Sequence, residues 1–338
     1  MPASQISTKS AKQNQALKLD SQLDSQSRPQ IGVSACLMGQ PVRFDGGHKR
    51  SPLLIDTCSN YFDLQTMCPE AELGLGIPRP TIQLRRFESV VKLVRSKDSQ
   101  HDISEAMRDY AVQKVVGLAH LDGFIFKKDS PSCGMERVPV FDHRTGMRER
   151  NGVGMFAEVF KNRYPNVPTE EEGRLNDIQL RENFYERVYA HYRWRQLLGS
   201  AQVLQGFREF HKNYKLILMA RHDVSYRQLG RIAATANKHN LPQVMEEYFA
   251  LFMQCMSRVP SRGQHVNVLM HILGYLKNRL NSHDKAELLQ WFETYRQRQV
   301  NRITPLVLLQ HHFKHHPNEY MAQQYYFSPF PAELMQPV

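Results

Sequence analysis

"GFIFKKDSPSCG", residues 123–134, decides how the front half of this chain is read. Gly123–Lys128 is a short aromatic and aliphatic run closed by two lysines, the pattern of a buried strand leaving the core. The next turn crowds Pro131, Cys133 and Gly134 into a few residues. A buried structural cysteine needs no proline and glycine around it. A cysteine that must present its sulfur to a ligand suits such a turn.

Working outward, "IGVSA" (31–35) is a second strand candidate, ending at Cys36, and "YFDLQTM" (61–67) ends in the same way at Cys68. "VVKLV" (90–94) is a further candidate. "DISEAMRDYAVQKVVGLAH" (102–120) carries Ile103, Ala106, Met107, Tyr110, Val115 and Leu118 at helical spacing, and "GMFAEVFKNRY" (154–164) is a closing helix stopped by Pro165. Strand, loop, helix and strand in this order predict an α/β domain, a small Rossmann-like parallel sheet with flanking helices. Ligands of such sheets bind beyond the carboxyl ends of the strands, where three of the five cysteines fall. "GLGIPRP" (74–80) contains Gly74-x-Gly76, but Pro78 and Pro80 forbid the helix of a dinucleotide site, so no dinucleotide cofactor is expected.

At "YPNVPTEEEGRLND" (164–177) two prolines loosen the chain, and Thr169–Glu172 has the form of a capping box opening a helix. The pattern beyond is helical, with Leu175, Ile178, Phe184, Val188 and Tyr192 expected to face inward. Three segments are therefore expected: a tail over 1–28, the α/β domain over 29–165 and an all-α domain over 166–338. The tail is rich in Ser, Gln and Lys and reads as disordered, with neither a secretory nor an organellar signal. No stretch approaches the roughly 18 apolar residues of a membrane span, and a cytoplasmic protein is expected. The net charge of +11 divides as +2, +3 and +6 over the three segments. A polyanionic partner is thus expected at the helical half. There Arg181, Arg187, Arg193, Arg195, Arg227, Arg231 and Lys238 interleave with Tyr185, Tyr192, Trp194 and Tyr226, a composition suited to RNA phosphates and unstacked bases. His311, His312, His315 and His316 have chelating i, i+4 spacing, but Pro317 follows at once, and they read as a terminal cationic or packing segment.

Five cysteines, an odd and scattered set without an export signal, argue against a disulfide framework. Cys36, Cys68 and Cys133 on separate loops suit a zinc ion or an iron–sulfur cluster. A cubane held by three thiolates keeps one iron open to a substrate sulfur. "SACLMGQPVRFDGGHK" (34–49), "CPEAELGLGIPRP" (68–80) and "SPSCG" (130–134) together resemble the TudS-type thiouracil desulfurase family over roughly residues 30–162. The resemblance implies a 4Fe–4S cluster on Cys36, Cys68 and Cys133 whose free iron takes sulfur from a thiolated pyrimidine. It also implies a catalytic serine at Ser130 and an acid/base carboxylate at Glu70, unless Glu70 only caps the following turn. Ser34, Arg43 and Asp45 are candidates for the substrate pocket, although Arg43 and Asp45 equally suit an ion pair bracing their loop. Cys58 and Cys255 lie outside the motifs and read as packing residues.

The segments "EEEGRLNDIQLRENFYERVYAHYRW" (170–194), "YRQLGRIAA" (226–234), "RGQHVNVLMHILGYLK" (262–277) and "TPLVLLQHHFKHH" (304–316) resemble the YbgA-type domain often fused to that family. The fused form implies 4-thiouridine in tRNA as substrate, converted to uridine with release of sulfide. Three alternatives remain in the sequence: desulfuration of a free thiouracil-type base, a non-catalytic iron–sulfur sensor that binds nucleic acid, and a plain zinc-stabilised module.

Overall fold

The computed structural model describes residues 28–335, so the expected tail falls outside the described residues except for Arg28. The first sheet joins β1 (Gln30–Ser34), β2 (Asp63–Met67), β5 (Gly123–Phe126) and β8 (Thr169–Glu171) in the order β2-β1-β5-β8. Every neighbouring pair in it is parallel. All four residues of β5 are buried, because both faces of a parallel sheet are covered. On one face Phe124 and Phe126 pack against Phe156 and Phe160; after the one-turn helix α1 (Pro69–Glu72), α2 (Ser104–Val116) and α3 (Met155–Arg163) form that layer. On the other, Ile31, Val33 and Ile125 meet Phe184, Tyr185, Val188 and Tyr189 of the long helix α4 (Ile178–Leu198).

Three local expectations change. Thr169–Glu171 forms the edge strand β8 and not a helix cap; α4 is capped by Asp177, which accepts from the backbone of Gln179 and Leu180. Two of the glutamates answer distant partners instead: Glu171 accepts from the Met135 backbone at 2.9 Å and Glu172 pairs with Lys127, while Glu170 pairs with Arg174 four residues on. The 90–94 run does form a strand, β4 (Val90–Arg95), but in a second sheet. That sheet has the order β4-β3-β6-β7, with β3 (Ile82–Phe87), β6 (Val138–Asp142) and β7 (Arg148–Gly152). Finally, Ile178 is exposed at the start of α4 rather than turned inward.

Beyond α4 come α5 (Val203–Arg221), α6 (Asp223–Thr235), α7 (Leu241–Met256), α8 (Arg262–Leu276), α9 (Ser282–Arg296), α10 (Ile303–His315) and α11 (Glu319–Ala322). Their core is aromatic: Trp194 stacks on Phe249 with ring centroids 4.5 Å apart, and Tyr248 and Phe252 extend the stack. His311 and His315 face one another in the last turn of α10, before Pro317. Among the described residues no helix is long and apolar enough to cross a membrane.

Burial corrects the expected RNA face on α4. Tyr185, Tyr192 and Trp194 are buried, as is Arg181. Arg193 donates to the Tyr214 hydroxyl and the Pro329 carbonyl, and Arg187 points to the Thr169 carbonyl and Glu170. Their charges are used to seat α4 against its neighbours, a role that aromatic and arginine spacing alone does not distinguish from a solvent-facing one. Of the expected set, Arg227, Arg231 and Lys238 are exposed, near the half-buried Tyr226.

The α/β sheet is locked to α4 by one carboxylate. Asp122, fully buried at the entry to β5, accepts from the Gln30 backbone, from both Nε and a terminal nitrogen of Arg195, and bonds His191 Nδ1 at 3.0 Å. Burial pushes the Asp122 carboxyl up, but the bonds from His191, Arg195 and Gln30 outweigh it and leave it below the usual carboxylate range. Asp122→Ala strands these donors, and with Arg195 about one-third exposed the expected cost is ~3 kcal/mol, read by urea unfolding. Because the folded pKa is depressed, the stabilisation is present above the ordinary carboxylate pKa and is lost as pH falls through the folded value. The gap between wild type and variant therefore narrows in acid.

Candidate active site

Parallel register places the three thiols together in the fold. Ser34 at the end of β1 lies opposite Met67 at the end of β2, so Cys36 and Cys68 follow side by side. The loop after β5 brings Cys133 to the same edge, and β1 separates β2 from β5 in the sheet. Cys36 and Cys133 are buried and Cys68 is half-buried. Burial, reinforced by the neighbouring Cys68, pushes the Cys36 thiol up to about 11. Burial and then the charges of Cys68 and Glu70 raise the Cys133 thiol well above its ordinary value, and burial raises Cys68 as well. Cys68 thus lies close enough to raise both of the other thiols.

The Ser130–Gly134 turn is held from below by the first turn of α3. The Met155 backbone N–H donates to the Pro131 carbonyl, and those of Phe156 and Ala157 donate to that of Ser132. These are the N–H groups a helix leaves unpaired at its start. The contact requires glycine: a Cβ on Gly154 would lie 2.6 Å from the Ser132 carbonyl group and 2.7 Å from the Gly134 nitrogen. Gly134 itself donates to the Ser130 carbonyl at 2.8 Å, closing the turn.

Glu70 and Ser130 are connected through a residue that the sequence reading missed. Ser132 Oγ donates to Glu70 Oε1 at 2.6 Å, and the Ser130 and Ser132 hydroxyls are 3.0 Å apart. A hydroxyl has one proton to give, so with Ser132 donating to Glu70, Ser130 is the donor to Ser132. Ser130 Oγ also accepts from the Cys133 backbone N–H at 3.1 Å, which fixes the hydroxyl against the Cys133 backbone. The second missed residue is Arg79, which grips Glu70 Oε2 with Nε at 3.0 Å and a terminal nitrogen at 2.8 Å. Its side chain is only 3% exposed, and its backbone N–H donates to Phe44. The signals were a second serine inside "SPSCG" and an arginine fixed between two prolines. The capping role considered for Glu70 belongs to Glu72, which accepts from the Cys68 N–H at 3.0 Å and binds Tyr110 and Lys114.

Ser34 is buried and serves as a bracket: its hydroxyl accepts from the Lys127 backbone at 2.9 Å and bonds the Cys133 thiol. Arg43 and Asp45 form the bracing ion pair, 3.6 Å apart, and Asp45 also accepts from Gly47. Arg43 nevertheless lies close enough to Cys36 to oppose the rise in its pKa. Cys58, fully buried against the Tyr185 hydroxyl at 3.1 Å, and the buried Cys255 are packing residues.

Among the described residues, no three His, Cys, Asp or Glu side chains close around a point as the ligands of a single ion would. The donor set suits a larger inorganic core: three soft thiols, one per strand end, could each hold a separate corner iron. The nearest carboxylate, Glu70, has both oxygens occupied by Arg79 and Ser132.

Residues 31–172 match the sequence profile of the family described as 2-thiouracil desulfurase, and residues 215–331 match a family described as a protein of unknown function, DUF1722. The "uncharacterized protein YbgA" of Escherichia coli (strain K12) is 25% identical over 149 residues, covering 44% of this chain and 88% of YbgA. A solved structure of a 4Fe–4S-dependent thiouracil desulfidase, TudS, is 28% identical, with a TM-score of 0.35, over 44% of this chain and 93% of that one. The chain therefore joins a domain of the 2-thiouracil desulfurase type to a helical domain of the YbgA type.

Proposed function

We propose that this protein is an iron–sulfur-dependent desulfidase acting on 4-thiouridine in tRNA, exchanging the thiocarbonyl sulfur for a water-derived oxygen and releasing sulfide. The observation that carries the reading is the line Ser130–Ser132–Glu70–Arg79 beside Cys133, whose thiol lies 3.8 Å from the Ser132 hydroxyl, at the sheet edge that Cys36 and Cys68 also follow. A 4Fe–4S cluster on those three cysteines would supply a Lewis-acidic iron for the departing sulfur.

The chain's own residues have distinct tasks. Ser130, fixed by the Cys133 backbone, presents its hydroxyl to the reacting pyrimidine. As the Ser130 hydroxyl takes a proton from the attacking water it passes its own to Ser132 Oγ, and Ser132 passes its own to Glu70 Oε1, so the carboxylate stores the proton of the water and returns it with the leaving sulfur. Arg79 keeps the other carboxylate oxygen turned away from this path. Exchange of sulfur for oxygen with one water consumed balances without net oxidation or reduction. The attached helical domain, with most of the net positive charge, supports an RNA-borne substrate over a free base.

The test is nucleoside mass spectrometry on tRNA treated with anaerobically purified protein, beside iron and sulfide analysis. The expected result is loss of 4-thiouridine with a matching gain of uridine and sulfide. Unchanged 4-thiouridine with a fully loaded cluster refutes the tRNA reading, and turnover of free thiouracil in the same preparation would identify the smaller substrate.

A further inference from the structure

A cavity of about 410 Å³ opens where the first turns of α4 meet the loop before α8 and the start of α10. It lies within the size range of small-ligand sites. Its floor is a buried chain of alternating charge: Arg221 binds Glu186, and Arg302 bridges Glu186 at 3.0 Å and Glu182 at 3.3 Å. Arg221 is 2% exposed and its Nε has no hydrogen-bond partner. Arg262 adds a third guanidinium, stacked over the Tyr295 ring, so the lining holds three arginines against two glutamates.

The mouth has the opposite character. Ile178, Val259 and Ile303 are 45%, 41% and 43% exposed and line one opening, where no other described residue buries them. A second recess continues from the first across Gln179, Val259, Pro260 and Arg262, and adds Arg296 and Arg298 beside the N-terminus of the fifteen-residue helix α8. An apolar rim for a flat ring thus stands next to a cationic recess for a phosphate. A free inorganic anion would use only the recess, and an apolar ligand only the rim. A nucleotide uses both.

The cavity also stands on the proper side of the molecule. β8 runs parallel to β5, so its end faces the thiol edge; Glu171 accepts from Met135, two residues beyond Cys133, and Glu172 pairs with Lys127. From Glu172 the chain needs only six residues to reach Ile178 at the rim, a span of at most about 21 Å. About six stacked nucleotides of one strand cover that distance. We propose that this cavity is the subsite for a nucleotide up to about six positions along the strand from the thiolated one in an RNA substrate, an inference that rests on the RNA activity proposed above.

The experiment measures fluorescence anisotropy of a labelled, unmodified single-stranded RNA against the full-length protein, which needs no turnover. The double variant Val259→Asp/Ile303→Asp is expected to weaken binding ~10-fold, the worth of one stacked base. Val116→Asp, at a 67% exposed position on α2, is the control and is expected to bind as wild type. Uridine monophosphate is expected to raise the melting temperature of the wild type and not that of the double variant. Should the double variant not fold, Val259→Asp alone is read in the same way. Equal RNA affinity of rim variant and wild type overturns the subsite, as does a wild type that desulfurates free thiouracil but does not bind RNA. Rim-dependent RNA binding without any desulfidation leaves the subsite standing and sinks the enzymatic reading instead.

Discussion

Cys133→Ala is expected to give a folded protein that holds no iron–sulfur cluster and desulfurates nothing. The substitution removes one buried atom from a site enclosed by Met135, Phe126 and Phe156, a loss of about 1 kcal/mol that the fold survives. What it removes chemically is a third of the thiolate set, and two remaining soft ligands do not define a cubane site. Iron and sulfide content of the anaerobic protein should fall to background, with loss of the visible absorbance. Ser130→Ala is the decisive companion. It leaves every thiol in place, so the cluster should load fully, while the missing hydroxyl lowers turnover by roughly 10²–10⁴. A purely sensory iron–sulfur protein would show the first loss and not the second. No turnover by the wild type, with nucleic-acid binding that Ser130→Ala keeps and Cys133→Ala loses, would place the protein in that other class; normal turnover by Ser130→Ala would remove Ser130 from the chemistry, and full cluster content in Cys133→Ala would remove Cys133 from the ligand set.

The sequence carried the strand ends because each thiol follows a run that alternation and composition mark as a strand, and parallel pairing then aligns those ends without further information. It failed where distant partners outvote local pattern. "TEEE" at 169–172 is indistinguishable from a capping box until the Met135 backbone and Lys127 arrive from elsewhere to claim the carboxylates of Glu171 and Glu172. Arginines 187, 193 and 195 on α4 look solvent-facing because burying a charge is costly, and only the fold supplies Glu170, Pro329 and Asp122 to receive them. The second sheet was largely invisible because the adjacent Arg85 and Arg86 in "IQLRRF" and the charged run Arg148–Arg150 in "RERNG" lower apolar content below a strand signal. Ser132 and Arg79 escaped for a related reason: each acquires its role from one acceptor, Glu70, that is 62 and 9 residues away.

That shared acceptor gives the second large effect. Glu70→Gln is expected to cut desulfidation by roughly 10²–10⁴ with cluster content unchanged, since the amide preserves shape but neither takes nor returns a proton. Arg79→Met should cost less, about 10–100-fold, because the carboxylate remains but is held by Ser132 alone. The pair tests whether Arg79 is a positioning residue for Glu70 or merely part of the fold. If Arg79 acts only by orienting the carboxylate, nothing is left for it to orient once Glu70 is an amide. The double variant should then be no slower than Glu70→Gln, because residues that act as one unit lose activity non-additively. A purely structural arginine would instead lower the melting temperature in both backgrounds and multiply the kinetic losses. Multiplied losses with unchanged iron content would remove Arg79 from the Glu70 line, leaving the proton path to Ser132 and Ser130.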